Sequence, residues 1–319
     1  MVIPSAFTFT AMIYVFLRQW VRMSLPFFAK RIRIINKEAL EFEGPLLLAC
    51  NHPNSFLDAM LMGCFMRQPV YYMTRGDVFK KAWVRRFLTS IKMIPVFRLR
   101  DGKDKLALND ETFEKSVSIL RNKEILLIFV EGLCEHQSEL LLPLKKGAPR
   151  ILQSCWHEGI AAQVLPVWLE YSSFDRYGKT IDIRIGKRFG SEVVTDINQA
   201  SCINEINAVT TEQLLQLSTS VPFKPVQPNG IERLLLLVPA MLGAVLHAPL
   251  YLPLQAFAKK VSKANVHYDS ILLATHIFLY PLYLFIIAIT LFILSLQWWA
   301  FLVFLIFPLT AKAYLHWKK

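Results

Sequence analysis

A chain of 319 residues has room for one sizeable catalytic domain with accessory segments. It is 54% hydrophobic with a mean hydropathy of +0.37, above the roughly 45–50% apolar content usual for soluble domains, so part of the surplus is expected to meet lipid. The 36 lysines and arginines against 24 aspartates and glutamates leave a net charge of +12, which suits an anionic partner such as phospholipid head groups or an acidic carrier, whereas the apolar segments argue against nucleic acid.

Residues 3–29 are apolar and aromatic but contain Arg18, Gln19 and Arg22. Two arginines do not fit a clean membrane span, so residues 1–30 are expected as an amphipathic helix in the membrane interface, its arginines reaching head groups. The run Lys30-Arg31-Ile32-Arg33 suits an anionic cytoplasmic leaflet. With no early basic region and no small-residue cleavage site, a removable signal peptide is not expected.

From about Ile32 to Lys187 short β-like runs alternate with helical stretches. The strand candidates are 32–35, 45–50, 70–74, 93–97, 125–130, 163–168 and 181–185; the helical candidates are 56–66, 80–90, 110–122 and 146–157. This alternation predicts an α/β domain over 31–220 with a mixed, largely buried sheet flanked by helices. Residues 191–217 read as a solvated extension, and 221–230, with three prolines and a glycine, as a linker.

The last third, 221–319, reads as membrane-associated. Residues 234–257 are long enough to span a bilayer, but Pro239, Pro249 and Pro253 interrupt them and lysines flank both ends. A re-entrant or interfacial hairpin is therefore expected there. Residues 271–309 are nearly twice the length of one span of about 20 residues. They predict a transmembrane hairpin turning at Ser295-Leu296-Gln297-Trp298-Trp299, with the flanking lysines on the cytoplasmic side. The five cysteines show no CxxC spacing and fit reduced thiols in a cytosol-facing protein.

One segment carries chemistry. Cys50-Asn51-His52 ends an apolar run, and a helix is expected near Phe56 with Asn54 or Ser55 as its N-cap. The turn opened by Pro53 could fold Asp58 back to His52. A carboxylate at one imidazole nitrogen would fix the tautomer and make the other nitrogen a general base for an alcohol. The competing reading makes His52 a turn residue and Asp58 a first-turn helix charge. His136 has no second histidine or cysteine at ligand spacing, so no metal site is expected; His157, His247, His267, His276 and His316 read as structural or interfacial. Cys134 reads as a passive thiol. No Gly-x-Ser-x-Gly, Walker or GxGxxG motif occurs, which disfavours serine hydrolysis and nucleotide chemistry.

Asn51-His52-Pro53-Asn54-Ser55-Phe56-Leu57-Asp58 resembles the first block of the glycerol-phosphate and lysophosphatidate acyltransferase superfamily, with five residues between His and Asp where most members have four. Ile94-Pro95-Val96-Phe97-Arg98 resembles the second block, Phe129-Val130-Glu131-Gly132 the third, and Leu165-Pro166-Val167 the fourth. Leu142-Pro143-Leu144-Lys145-Lys146-Gly147-Ala148 resembles the segment that commonly follows the third block. The resemblance implies His52 as base, Asp58 as its orienter, and Arg98 holding the acceptor phosphate. It also implies that Glu131 and Gly132 shape the acceptor pocket, with Glu131 accepting from a glycerol hydroxyl. Leu133-Cys134-Glu135-His136 stands where the family usually has Thr-Arg-Ser, which leaves Arg98, Lys145 and Lys146 as the anion candidates.

The activity implied is acyl transfer to a glycerol-phosphate-type acceptor at a membrane, the bacterial inner membrane if the source is bacterial. The donor would be acyl-CoA or an acyl carrier protein thioester, with no further cofactor. The leading acceptor is 1-acylglycerol-3-phosphate, with glycerol 3-phosphate or another lyso-lipid as alternatives. A non-catalytic membrane lipid-binding protein and a phospholipid hydrolase are the readings from other classes.

Overall fold

A computed structural model describes residues 9–97, 108–263 and 265–318. Its centre is a seven-stranded sheet built from β1 (Ala29–Ile35), β2 (Leu46–Cys50), β3 (Val70–Arg75), β4 (Met93–Val96), β5 (Ile125–Phe129), β6 (Gln163–Tyr171) and β7 (Lys179–Ile185). The order is β1-β7-β6-β2-β5-β3-β4. Neighbouring strands are parallel except β6 and β7, so β1 and β7 run against the other five and the sheet is mixed, as expected. Each expected strand is present, with β6 and β7 somewhat longer than their apolar runs.

Alternation along β2 sets the two layers. Leu46, Leu48 and Cys50 face one side, where α1 (Phe9–Ser24) and α2 (Phe56–Phe65) contribute Tyr14, Leu57, Leu61 and Met62. Leu47 and Ala49 face the other, where α4 (Leu108–Arg121), α5 (Gly147–His157) and α6 (Ser201–Thr219) contribute Val117, Leu120, Ile151, Leu152 and Ile206. A strand apolar on both faces belongs at the centre of a covered sheet, and all five residues of β2 are buried. The helix α3 (Ala82–Ser90) lies at the margin of this core, packing Leu88 against the first layer but fully burying none of its residues.

Three expectations are corrected here. Residues 191–217 are not a solvated extension, because α6 buries Cys202, Ile206, Thr210, Leu214 and Leu217 against the second layer. Residues 234–257 are not a hairpin. They lie within one unbroken helix, α7 (Gly230–Ser262), which carries all three prolines in its interior. Proline removes one backbone hydrogen bond and is tolerated in apolar helices whose neighbours support the kink. The helix opens on a reciprocal capping box between Asn229 and Glu232. Lastly, the early basic residues turn largely inward. Arg18 donates to the carbonyls of Met66 and Arg67 at the end of α2, Lys30 to the carbonyl of Lys318, and Arg33 to Asp182 at 2.6 Å. Arg22 and Arg31 remain exposed.

Residues 271–309 fall in two helices joined by a turn. α8 (Tyr268–Ser295) ends at Leu296, which adopts the left-handed conformation of a helix C-cap, and α9 (Val303–Trp317) follows a short 3-10 turn over Trp298–Leu302. Three stretches, 230–262, 268–295 and 298–317, are long and apolar enough to cross a membrane. The first turns of α8 reach back to the sheet domain, placing Leu273 and Ile277 in the core layer beside α1 and α2.

Candidate active site

Strand β2 ends at Cys50, and the next residue continues its ladder with a side chain. The Asn51 amide nitrogen donates to the Leu169 carbonyl (2.9 Å), and its oxygen accepts from the Leu169 N–H (2.7 Å). Because Asn51 is thereby pinned to β6, the chain leaves the sheet at a fixed point and turns through His52–Ser55 into α2. Ser55 holds a positive φ of 52°, rare for a residue with a Cβ and stable only where surroundings enforce it. They do so here. Its N–H donates to the Cys134 sulfur (3.0 Å), and its hydroxyl meets His267 Nδ1 at 2.5 Å. Ser55 thus occupies the expected N-cap position without capping the helix through its side chain.

The turn brings together the two residues that the sequence pattern singles out. His52 Nδ1 lies 2.9 Å from Asp58 Oδ2. The same oxygen accepts from the Asn54 N–H (2.7 Å), and Oδ1 accepts from the Tyr171 hydroxyl (2.5 Å). Asp58 is fully buried and these three donors satisfy it. Burial and the adjacent Asp58 carboxylate push the Tyr171 phenol well above its usual range, so it stays a donor. With Nδ1–H directed at a carboxylate, Nε2 is the nitrogen that can accept a proton. The imidazole stacks flat on Phe129, with ring centroids 3.6 Å apart, and remains 18% exposed. A fixed, partly open imidazole backed by a buried carboxylate is the arrangement of a general base.

Glu131 holds the floor of the turn. Its carboxylate accepts from the His52 N–H (2.7 Å) and the Leu141 N–H (2.9 Å). Both oxygens serve the protein's own backbone and the residue is buried. Burial raises the Glu131 carboxyl above its usual range against those two amides. Gly132 is where a glycine is required. Its φ is +66°, and a Cβ there would sit 2.7 Å from Lys145 Cγ. Lys145 thereby lies over the third block, and both Lys145 and Lys146 are exposed before α5. Arg98 lies outside the described residues. The amides of Asn54, Ser55, Leu57 and Asp58 are all engaged within the protein, so they are not free to receive an oxyanion.

The sequence pattern missed a second layer of contacts, supplied by α8 and β7. Asn54 Nδ2 donates to Asp269 Oδ2 (2.8 Å), and Asp269 pairs with Lys179, both side chains fully buried. The Leu57 N–H donates to the Ser270 hydroxyl (3.0 Å). Together with the Ser55–His267 contact, three residues at the head of α8, His267, Asp269 and Ser270, hold the His52 turn. His267 is therefore not merely interfacial. No local motif announces this set, since more than two hundred positions separate Asn54 from Asp269. Cys134, beside the third block, is a hydrogen-bond acceptor whose thiol is pushed up to about 12, first by burial and next by Asp58. It is a poor nucleophile there.

The mixed, helix-flanked sheet thus places a His–Asp pair just beyond the end of one of its inner strands, with the imidazole partly open. Residues 31–170 match the family model "Acyltransferase". Over 123 residues the chain is 27% identical to a 1-acyl-sn-glycerol-3-phosphate acyltransferase of Bacillus subtilis (strain 168); the alignment takes in 38% of this chain and 56% of the relative, so the chain spans about half of that protein's length. Among solved structures it is similar to the 1-acyl-sn-glycerophosphate acyltransferase PlsC of Thermotoga maritima, with a TM-score of 0.50 and 12% identity over 67% of this chain and 82% of that one, a likeness of fold. Through the segment 31–170 the chain is similar to the acyltransferases, and the solved structure shares its fold.

Proposed function

We propose that this chain is an O-acyltransferase that moves a fatty acyl group from an acyl thioester to a hydroxyl of a lyso-lipid, with 1-acylglycerol-3-phosphate as the acceptor. The observation that carries the reading is the 2.9 Å contact between His52 Nδ1 and Asp58 Oδ2 in a turn held by β6, by Glu131 and Cys134, and by the head of α8. In this mechanism Nε2 of His52 takes the proton from the acceptor hydroxyl. The oxygen then attacks the thioester carbonyl, a new ester forms, and the thiol leaves carrying the proton from His52. Asp58 holds the imidazole in the tautomer that leaves Nε2 free to accept and stabilises the imidazolium that forms. A thioester is already activated, so no covalent enzyme intermediate is required.

Residues 31–220 would form the catalytic unit and 221–319 the membrane-associated region, with the site at the cytoplasmic leaflet. Lys145, Lys146 and Arg98 are the candidates for the acceptor phosphate, since guanidinium and ammonium groups near a helix start attract anions. Either acyl-CoA or an acyl carrier protein could deliver the donor.

A panel of acceptors tests this reading. Purified protein in mild detergent is given a labelled acyl thioester with lysophosphatidate, glycerol 3-phosphate, other lyso-lipids or no acceptor, and the products are separated. Labelled phosphatidate from lysophosphatidate is the expected product. Free fatty acid formed equally in every arm would instead identify a hydrolase, and no product in any arm a non-catalytic protein.

A further inference from the structure

Between Arg233 and Lys259, three side chains of α7 carry an N–H or O–H: His247, Tyr251 and Gln255. All three fall at four-residue spacing, on one stripe that begins at Gly243 and ends at Lys259. On a helix otherwise apolar and long enough to cross a bilayer, polar groups gathered on one stripe mark the side turned away from lipid. A matching stripe, Tyr268, Leu272, His276 and Tyr280, runs along α8. The two meet where the Tyr280 hydroxyl lies 3.0 Å from His247 Nε2, while His247 Nδ1 bonds the Gly243 carbonyl at 2.7 Å.

Two cavities open along these stripes. One, of about 370 Å³, lies among α1, α7, α8 and α9, with Trp20, Phe28, Leu273 and Ile277 in its mainly apolar wall. The other, of about 750 Å³, is lined by Arg176, Gln255, Lys259 and His136, with Asp175 as the acidic residue facing them. Tyr251 and Lys318 line both, so the cavities adjoin. Each volume falls in the roughly 300–1,000 Å³ range of small-molecule sites. Passing from His247 to Lys259, about 18 Å along the helix at its rise per residue, the walls change from apolar to polar and cationic.

The polar cavity also touches the groups that hold the His52 turn. Its wall residue Tyr268 stands between His267 and Asp269, which bond Ser55 and Asn54. Its wall residue Phe174 packs against Tyr171 at 5.8 Å, and Tyr171 donates to Asp58.

The geometry points to a binding site for one single-chain phospholipid, with its aliphatic chain in the apolar cavity and its phosphate among Arg176, Lys259 and Lys318. Length, polarity gradient and charge all match an amphiphile of that kind and fit neither a free phosphate nor a neutral lipid. Most of these residues lie beyond the segment 31–170 that the family model matches, so this is a site contributed by the C-terminal helices. That the bound molecule is also the acyl acceptor rests on the function proposed above; the binding itself does not.

Equilibrium binding of labelled palmitoyl and hexanoyl lysophosphatidate to the full chain in detergent, run beside the transfer assay, separates the two claims. Ala248→Phe places a ring in the apolar cavity, whose wall includes Ala248. Palmitoyl binding is expected to weaken by at least about tenfold, since several methylenes lose their burial, while hexanoyl binding is unchanged. Lys259→Glu, at an exposed position that cannot disturb the core, is expected to weaken both by about tenfold through loss of phosphate attraction. Unchanged binding of palmitoyl lysophosphatidate in both variants overturns the site, and so does wild-type protein that binds phosphate or a neutral monoacylglycerol equally well. Variants that lose binding of a molecule the wild type never acylates uphold the site and overturn its role as the acceptor site. Transfer with an unchanged KM for lysophosphatidate in variants that have lost binding upholds the acyltransferase and the site, and overturns the site's role in holding the acceptor.

Discussion

The side-chain amide of Asn54 donates to the Asp269 carboxylate across 2.8 Å, and this bond makes the His52 turn and the head of an apolar helix one unit. Asp269 is itself paired with Lys179 in a site closed to water. Removing one partner of a buried pair leaves an uncompensated charge, so Asp269→Ala is expected to cost about 3–5 kcal/mol of stability, read by denaturant or thermal unfolding in detergent. Replacing both charges, as Lys179→Met with Asp269→Leu, is expected to recover most of that stability. Its kcat stays about tenfold down, because Asn54 has lost its acceptor and the turn is looser, a loss of the order expected for one hydrogen bond to a charged group. A double variant with wild-type kcat would remove α8 from the account of the site.

Asp58→Asn preserves shape but replaces a carboxylate that takes three donors with an amide that must also donate. The imidazole loses its preferred tautomer. The expected result is a fall in kcat of roughly 10²–10⁴-fold, the usual contribution of a positioned base, with KM for both substrates little changed.

Tyr171→Phe tests the next contact outward. The hydroxyl donates to Asp58 Oδ1 at 2.5 Å inside the core, and a hydrogen bond to a charged group is worth about 1.5–3 kcal/mol. If that energy serves to hold Asp58 against His52, kcat drops about ten- to a hundredfold without a change in KM. A loss of stability with unaltered kcat would make Tyr171 a core residue only.

Gly132→Ala meets both a φ of +66° and the Lys145 side chain. The left-handed backbone alone costs an L-residue about 1–2 kcal/mol. Lys145 must also swing away, so activity is expected to fall more than stability, and Lys145→Ala in the same chain to recover part of the loss.

The Cys134 thiol sits at about 12, so at about pH 8 its thiolate fraction is on the order of one in 10⁴. Cys134→Ser, which can still accept from the Ser55 N–H, is expected to retain transfer, and alkylating reagents to react slowly with the folded chain. Loss of all activity in Cys134→Ser would point to an acyl-cysteine route instead.

Much of this molecule was legible as pattern. The seven strands follow from apolar runs bounded by turn residues, and the face alternation in Leu46–Cys50 follows from the two-residue period of a strand. The His52–Asp58 pairing was legible because both partners lie in one short turn. What was not legible is long-range. Tyr171, Lys179, Asp269 and Ser270 reach the site only through sheet order and helix docking, which no local spacing encodes. Arg18, Lys30 and Arg33 read as head-group ligands because charge is visible in a sequence and partners such as Asp182 are not. The proline-rich stretch 234–257 read as broken because isolated propensity disfavours proline in a helix, whereas packing of α7 against α8 and α9 supports it.

The central claim is that His52 takes a proton from the acceptor, and thiol release tests it most directly. Wild-type chain and His52→Ala are given a palmitoyl thioester with and without lysophosphatidate, and free thiol is followed with time. The account predicts release in the wild type that depends on the acceptor, and a rate at least about 10²-fold lower in His52→Ala. Acceptor-dependent release by His52→Ala at the wild-type rate would contradict it.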